Sequence, residues 1–336
     1  MREMIKMKMK VAVYNYREFD EAKWFQKYSK ELGLELVICH DAPDMENASM
    51  AEGCACISII TSKITAELAQ RFADLGVKYI HTRTIGYDHI DTQKCRELGI
   101  RFGNAPYGPN GVADYTVMLM LMSIRRMKCI MERAAVQDYT LKGIQGRELA
   151  DFTVGVIGTG RIGRTVVKAL SGFGCRIIAY DLYENDEVKQ FADYVNLDEL
   201  MRTADLITLH TPLTDDNYHL INRETIAKMK DQVVIINTAR GGLIDTDALI
   251  EGIESGKIGA VGLDVVEKEF GLYYYDRKSD IIGNRELSVL RGFPNVTVTP
   301  HMAFYTDNAI RTMVEKSLLS CHAFMTGAEN PYEVTE

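Results

Sequence analysis

The stretch VGVIGTGRIGRTVVKAL, Val154 to Leu170, constrains the fold more than any other part of the chain. A short β-branched run stops at Gly158, the spacing Gly158–Gly160–Gly163 follows, and helical periodicity begins directly behind it. Such a pattern is a strand, a tight turn and a helix. The first glycine permits the turn, the second lets a ligand reach the backbone, and the third lets the helix pack on the strand. The first turn of the helix offers unpaired N–H groups and the positive end of its dipole, which suit a pyrophosphate. The next apolar run, CRIIAYD, ends in Asp181, 18 residues after Gly163. A carboxylate there accepts hydrogen bonds from ribose hydroxyls and repels a 2′-phosphate, so the motif reads as a site for NAD rather than NADP.

The motif sits in a regular series. From Asp151 onward the runs FTVGVIG, CRIIAYD, DLITLHTP, QVVIINTAR, IGAVGLDVV and NVTVTP read as strands, with helical patterns such as NLDELMRTA and DTDALIEGIESG among them. The first hundred residues alternate in the same way. MKVAVYNY, LELVICH, ACISII and VKYIHTRT are strands, and FDEAKWFQKYSKELG, SKITAELAQRFADLG and DTQKCRELG are helices. Strands separated by helices imply right-handed crossovers on largely parallel sheets. One long helix is expected from about Gly111 to Glu132 and another from about Asp307 to Thr326. The fold class is α/β, with two doubly wound parallel-sheet domains.

Bulk properties narrow the function. A net charge of −8 over 336 residues lacks the clustered positive charge of a nucleic-acid footprint. No apolar run approaches the ~20 residues of a membrane span. The seven cysteines contain no zinc-like Cys-x-x-Cys pair and lie mainly in apolar stretches, so they read as buried reduced thiols in a cytoplasmic protein with no metal site.

Open parallel sheets bind ligands beyond the carboxyl ends of their strands. His210, Thr211 and Pro212 lie at one such end, and Thr238, Ala239 and Arg240 at another. Asp264, Glu267 and Glu269 follow a third, and His301 a fourth. Reduction of a 2-oxo acid by a nicotinamide needs a cation to clamp the carboxylate, for which the planar arginine fork is suited. It also needs an acid for the nascent alkoxide and a carboxylate to orient that acid. Arg240, a glutamate and His301 meet this list. Singly, each also fits a bland role as a surface arginine, a solvated acidic loop or a packed strand-end histidine. His210 and His219 read as structural where catalysis is concerned, and His40, His81, His89 and His322 have no evident partner in the sequence.

Taken together, TRTIGYDHID, VGVIGTGRIGRTVVKAL, ADLITLHTPLT, INTARGGLIDTDALIEGIESGKIGAVGLDV and PNVTVTPHMAFYT resemble the D-isomer-specific 2-hydroxyacid dehydrogenases over nearly the whole chain. Within that family the resemblance is closest to the D-lactate dehydrogenases, including the VanH-type enzymes, although those lack the ribose aspartate that Asp181 supplies here. The resemblance implies that Arg240 binds substrate, that Glu269 rather than Glu267 is the catalytic carboxylate, and that His301 is the general acid/base. It implies substrate contacts from the backbone of Ile85 and Gly86 and from Tyr107, in a loop one residue shorter than usual. Met302 and Phe304 would line an apolar pocket beside the acid. For NAD it implies Arg161 and Ile162 at the pyrophosphate and Asp181 at the ribose. It places Thr211, Pro212 and Asn217 along the dinucleotide, next to His210, and Thr238, Ala239, Arg240 and Asp264 around the nicotinamide.

The resemblance further implies a Rossmann NAD domain, residues 108–300, inserted into a flavodoxin-like substrate domain made of residues 1–107 and 301–336. The active site would lie in the cleft, and the TVMLMLM helix at a homodimer interface. The expected activity is NADH-dependent reduction of pyruvate to D-lactate. The alternatives are a bulkier 2-oxo acid, such as 2-oxoisocaproate or phenylpyruvate, or an NAD-sensing binding protein without significant turnover.

Overall fold

The computed structural model describes residues 9–335. The chain forms two compact units, Met1–Gly108 with Tyr305–Glu336, and Pro109–Phe304.

The first unit is built on five parallel strands: β1 (Met9–Val13), β2 (Leu34–Ile38), β3 (Cys56–Ile59), β4 (Tyr79–Thr82) and β5 (Arg101–Gly103). Their order is β2-β1-β3-β4-β5, the flavodoxin-like arrangement. Helices α1 (Glu18–Leu32), α2 (Ala66–Asp74) and α3 (Thr92–Glu97) make the crossovers, and the C-terminal helix Asp307–Thr326 packs on α1. Asp91 caps α3 by accepting from the Lys94 N–H.

The second unit begins with α4 (Asn110–Ile124) and α5 (Met127–Ala135). Its sheet contains β6 (Thr153–Ile157), β7 (Arg176–Tyr180), β8 (Asp193–Tyr194), β9 (Leu206–Leu209), β10 (Val233–Asn237), β11 (Ile258–Leu263) and β12 (Val296–Val298). All pairings are parallel, in the order β12-β11-β10-β9-β6-β7-β8. The helices α6 (Arg161–Leu170), α7 (Leu197–Thr203), α8 (Arg223–Lys228), α9 (Thr246–Glu254) and α10 (Arg285–Gly292) cover it. Along β10, Val234 and Ile236 join the core on one face while Val233 and Ile235 join the core on the other. Burial on both faces is why these strands read as unbroken apolar runs. The chain order reverses between β6 and β9, and their carboxyl ends form a topological switch point.

One expected element is corrected. The single helix from Gly111 to Glu132 is two helices, because Arg126 takes a left-handed conformation with φ 53°. The apolar periodicity runs through the break and hides it.

Candidate active site

The glycine turn joins β6 to α6. Gly158 has φ 91°, and a Cβ there would sit 2.6 Å from the His210 carbonyl carbon at the end of β9, so only glycine fits. Gly163 packs against the Gly158 carbonyl. At Gly160, the N-cap of α6, a Cβ would instead meet open space. Backbone is therefore accessible beside Arg161 and Ile162 in the first turn of the helix.

Asp181 ends β7 and is tied back to this turn. Its Oδ2 accepts from the Thr159 N–H and, at 3.0 Å, from the Thr159 hydroxyl, which also bonds Tyr194 at 2.7 Å. The carboxylate is thereby fixed beside the glycine turn. Thr159 was not singled out from sequence, though a hydroxyl between two glycines of the motif is a readable signal.

Beyond β9, desolvation pushes the His210 imidazole down to a pKa of about 3, so the ring is neutral; it bonds the Thr208 hydroxyl at 2.9 Å. It backs the glycine turn, and as a neutral ring it is not a general acid at neutral pH. Asn217 closes the loop that follows, donating to the Pro212 carbonyl at 2.7 Å and accepting from the Thr214 N–H at 2.8 Å. Thr211 lies inside that loop.

Beyond β10, Asn237 organises the turn that presents Arg240. It accepts from the Ala239 N–H at 3.0 Å and donates to the Arg240 carbonyl at 2.8 Å. Thr238 bonds Thr116 of α4 at 2.8 Å. Behind Arg240, a Cβ on Gly241 would fall 2.2 Å from the Val266 carbonyl, so this turn lies directly against the loop after β11.

That loop holds the remaining carboxylates. Asp264 is fully buried, and desolvation pushes its pKa up. Its oxygens accept from the Thr299 hydroxyl at 2.6 Å and from the N–H groups of Met302 and Ala303 at 2.8 Å each. These bonds fix the turn after β12 on which His301 stands. His301 has φ 54°, a left-handed conformation that is strained for a residue with a side chain. Its N–H donates to the Asp264 carbonyl at 2.8 Å, and its own carbonyl accepts from Tyr274 at 2.7 Å. Its Nδ1 meets Glu269 Oε1 at 2.7 Å, while Glu269 Oε2 accepts from the Val266 N–H at 3.1 Å. Among the described residues, Nε2 of His301 has no partner. Phe304 stands edge-on to the imidazole, 6.4 Å between ring centres.

Glu267 goes elsewhere. It accepts from His219 Nε2 at 2.9 Å and from the Thr246 hydroxyl at 2.6 Å. Neither His219 nor Thr246 was paired with it from sequence, and a contact across 48 residues leaves no local signature.

The expected substrate residues Ile85, Gly86 and Tyr107 belong to the first unit, the first two in the turn after β4 and Tyr107 shortly after β5. Thus the second unit gathers His301, Glu269 and the Arg240 turn, together with the glycine turn and Asp181.

The model of the D-isomer specific 2-hydroxyacid dehydrogenase NAD-binding domain matches residues 117–303. An aromatic 2-oxoacid reductase from Clostridium sporogenes is 43% identical over 319 residues, covering 94% of this chain and 96% of that protein. The chain belongs to the D-isomer-specific 2-hydroxyacid dehydrogenase family. It is also 44% identical over 308 residues to a D-specific alpha-keto acid dehydrogenase from Enterococcus faecalis, covering 91% of this chain and 94% of that one. A solved D-lactate dehydrogenase from Treponema pallidum superposes with a TM-score of 0.86 at 33% identity, covering 98% of this chain and all of that one.

As a member of this family, the protein is an NAD-dependent oxidoreductase acting on D-2-hydroxy acids and the corresponding 2-oxo acids. The residues around the glycine turn fit the dinucleotide. The opening at Gly160 and the first turn of α6 suit a pyrophosphate, and the oriented carboxylate of Asp181 suits a free 2′-hydroxyl. No helix among the described residues is long and apolar enough to cross a membrane.

Proposed function

We propose that this enzyme reduces pyruvate to D-lactate with NADH, reversibly, and that His301 is its proton donor. The observation that carries the proton-donor role is the His301–Glu269 pair at the strand end, which leaves Nε2 without a partner in the described residues. Pyruvate as the substrate draws its support from the similarity to the D-lactate dehydrogenase of Treponema pallidum.

Bound NADH supplies the hydride to the keto carbon. Arg240 clamps the substrate carboxylate with its planar fork, together with the backbone N–H groups of Ile85 and Gly86. His301 donates its Nε2 proton to the carbonyl oxygen as that oxygen becomes an alkoxide, and Glu269 holds the ring in place through Nδ1. Tyr107 and Phe304 border the substrate. Arg161 and Ile162 contact the pyrophosphate, and Asp181 the adenosine ribose. His210, Thr211, Pro212 and Asn217 line the dinucleotide, and Thr238, Ala239 and Asp264 surround the nicotinamide.

The experiment that tests this is a panel of 2-oxo acids with NADH, from pyruvate to 2-oxoisocaproate and phenylpyruvate. The expected result is the highest kcat/KM for pyruvate, with D-lactate as the product. A higher value for phenylpyruvate moves the assignment to an aromatic 2-oxo acid. Phe304 beside His301, with Tyr274 packed 6.3 Å from Phe304, favours that second reading, as does the similarity to the aromatic 2-oxoacid reductase. One methylene separates substrates by only ~1–3 kcal/mol, so the two readings are close in energy. NADH binding without reduction of any member would instead favour the sensing role.

We infer also that the enzyme works in the cytoplasm as a homodimer. On α4, Val117, Met118, Leu121 and Met122 line an apolar surface cavity of about 620 Å³ with Phe173, and a second copy would cover it. Light scattering after size exclusion measures this, and a monomer at micromolar concentration would set it aside.

A further inference from the structure

We propose that Asn104 and Thr84 are positioning residues for the substrate carboxylate, because they hold the carbonyls of the turn after β4 so that its N–H groups face the ligand. The proposal rests on the reading that the backbone of Ile85 and Gly86 binds that carboxylate, and extends the site to the N–H of Tyr87, which Thr84 aims.

Three consecutive carbonyls in this turn are tied down within the first unit. The Thr84 carbonyl accepts from the Ala105 N–H at 2.9 Å. The Ile85 carbonyl accepts from Asn104 Nδ2 at 2.6 Å, and the Gly86 carbonyl from the Thr84 hydroxyl at 2.6 Å. A trans peptide is planar, with its C=O and N–H pointing in opposite directions. Each tie therefore aims the N–H of the following residue, Ile85, Gly86 or Tyr87, away from the anchoring group. Among the described residues, none of these three N–H groups has an acceptor. Successive backbone N–H groups left free in a turn form a concavity suited to an anion.

Both anchors are themselves held. The Asn104 N–H donates to the Tyr332 carbonyl at 3.0 Å, and its carbonyl meets His81 Nε2 at 3.0 Å. Because a carbonyl only accepts, Nε2 of His81 carries the proton. Desolvation lowers the His81 pKa to about 3, so the ring stays neutral. Thr84 Oγ1 is 2.7 Å from Thr82 Oγ1, which is 2.9 Å from His89 Nε2. Since Thr84 gives its proton to Gly86, it accepts from Thr82, and Thr82 in turn accepts from His89. A one-way chain of donors thus runs from the buried His89 to the Gly86 carbonyl. The Ile60 carbonyl, at 3.2 Å, is a more distant rival for the Thr82 proton.

The test compares wild type with Asn104→Ala, Thr84→Val and Thr84→Ser. It measures kcat and KM for pyruvate, the same constants for its neutral methyl ester, the Kd of NADH and thermal stability. Asn104→Ala and Thr84→Val are expected to raise the KM for pyruvate roughly tenfold with a smaller change in kcat, the mark of lost ground-state binding. NADH affinity stays within about twofold, and Thr84→Ser returns KM to near the wild-type value. The ester, a poor substrate from the start, loses nothing further. An unchanged pyruvate KM in folded Thr84→Val overturns the proposal, and that near-isosteric variant decides if Asn104→Ala does not fold. Equal losses for pyruvate and ester also overturn it, by showing general distortion. If wild type reduces the ester as well as pyruvate, the carboxylate reading beneath the proposal is what has failed.

Discussion

Two histidine–glutamate pairs grow from one loop and come to different ends. Glu267 and Glu269 flank Lys268, whose φ of 58° sends the chain through a left-handed step. Glu269 meets His301 at 2.7 Å and Glu267 meets His219 at 2.9 Å. Both histidines are also left-handed, with φ 54° and 55°. Pairing, spacing and backbone strain are therefore common to both and do not make a catalytic group. What differs is which nitrogen is used and how full the carboxylate is. His301 gives Nδ1 to its glutamate, so Nε2 is left without a partner among the described residues. His219 gives Nε2, and its ring stacks on Tyr218 at 3.9 Å. Glu267 also accepts from Tyr218 and from Thr246 at the start of α9, which makes it a clasp between two loops and a helix.

The sharpest way to break this contrast is to remove each imidazole in turn. His301→Ala is expected to lower kcat by ~10²–10⁴-fold, the usual worth of a positioned acid, with NADH binding intact by fluorescence titration. His219→Ala should leave kcat within about threefold and lower the melting temperature instead. Turnover lost equally in both variants would erase the distinction.

The carboxylates give a smaller effect. Glu269→Gln keeps the shape and an acceptor but removes the charge from a hydrogen bond worth ~1.5–3 kcal/mol. It should cost about 10- to 150-fold in kcat, measured in the steady state. Glu267→Gln should cost ~1–2 kcal/mol of stability, since its side chain is only 18% exposed but its histidine partner is 29% exposed. For a unit of this size that is roughly 2–8 °C in Tm by calorimetry.

Much of this contrast lies outside what a sequence can show. The parallel sheets were legible because strands buried on both faces are apolar without interruption, and the glycine turn because each glycine has a steric reason. The break at Arg126 was not, since periodicity continues across it. Nor were β5 and β8, which at three and two residues are too short to show alternation. That the first unit is closed by the last helix came from resemblance, not from any pattern in the residues. VEKE offers two glutamates with equal claim on His301, and resemblance pointed to Glu269. The physical reason is the left-handed step at Lys268, which turns the two side chains to different partners. His81 and His89 had no evident partners, and His219 read only as structural, because their partners lie across turns that only the fold closes.

Acid should produce the smallest effect. Burial pushes the Glu267 carboxyl up, but hydrogen bonds from His219 and Thr246 outweigh it and hold the pKa below the ordinary 4.5. A depressed carboxyl contributes stability that is complete above the unfolded value and is lost as pH falls through the folded one. Wild-type stability should therefore decline below about pH 4.5 in part because the unfolded chain takes up this proton first. In Glu267→Gln that share of the decline vanishes, so the gap in Tm between the variant and wild type narrows as pH falls from 6 toward 3.5. Tyr218→Phe, which deletes only the 3.2 Å bond from a largely exposed phenol, should barely shift Tm and leave the pH dependence in place. A gap that stays constant through the acid range would mean that Glu267 is not held ionised by its partners, and the clasp would then be a matter of shape rather than charge.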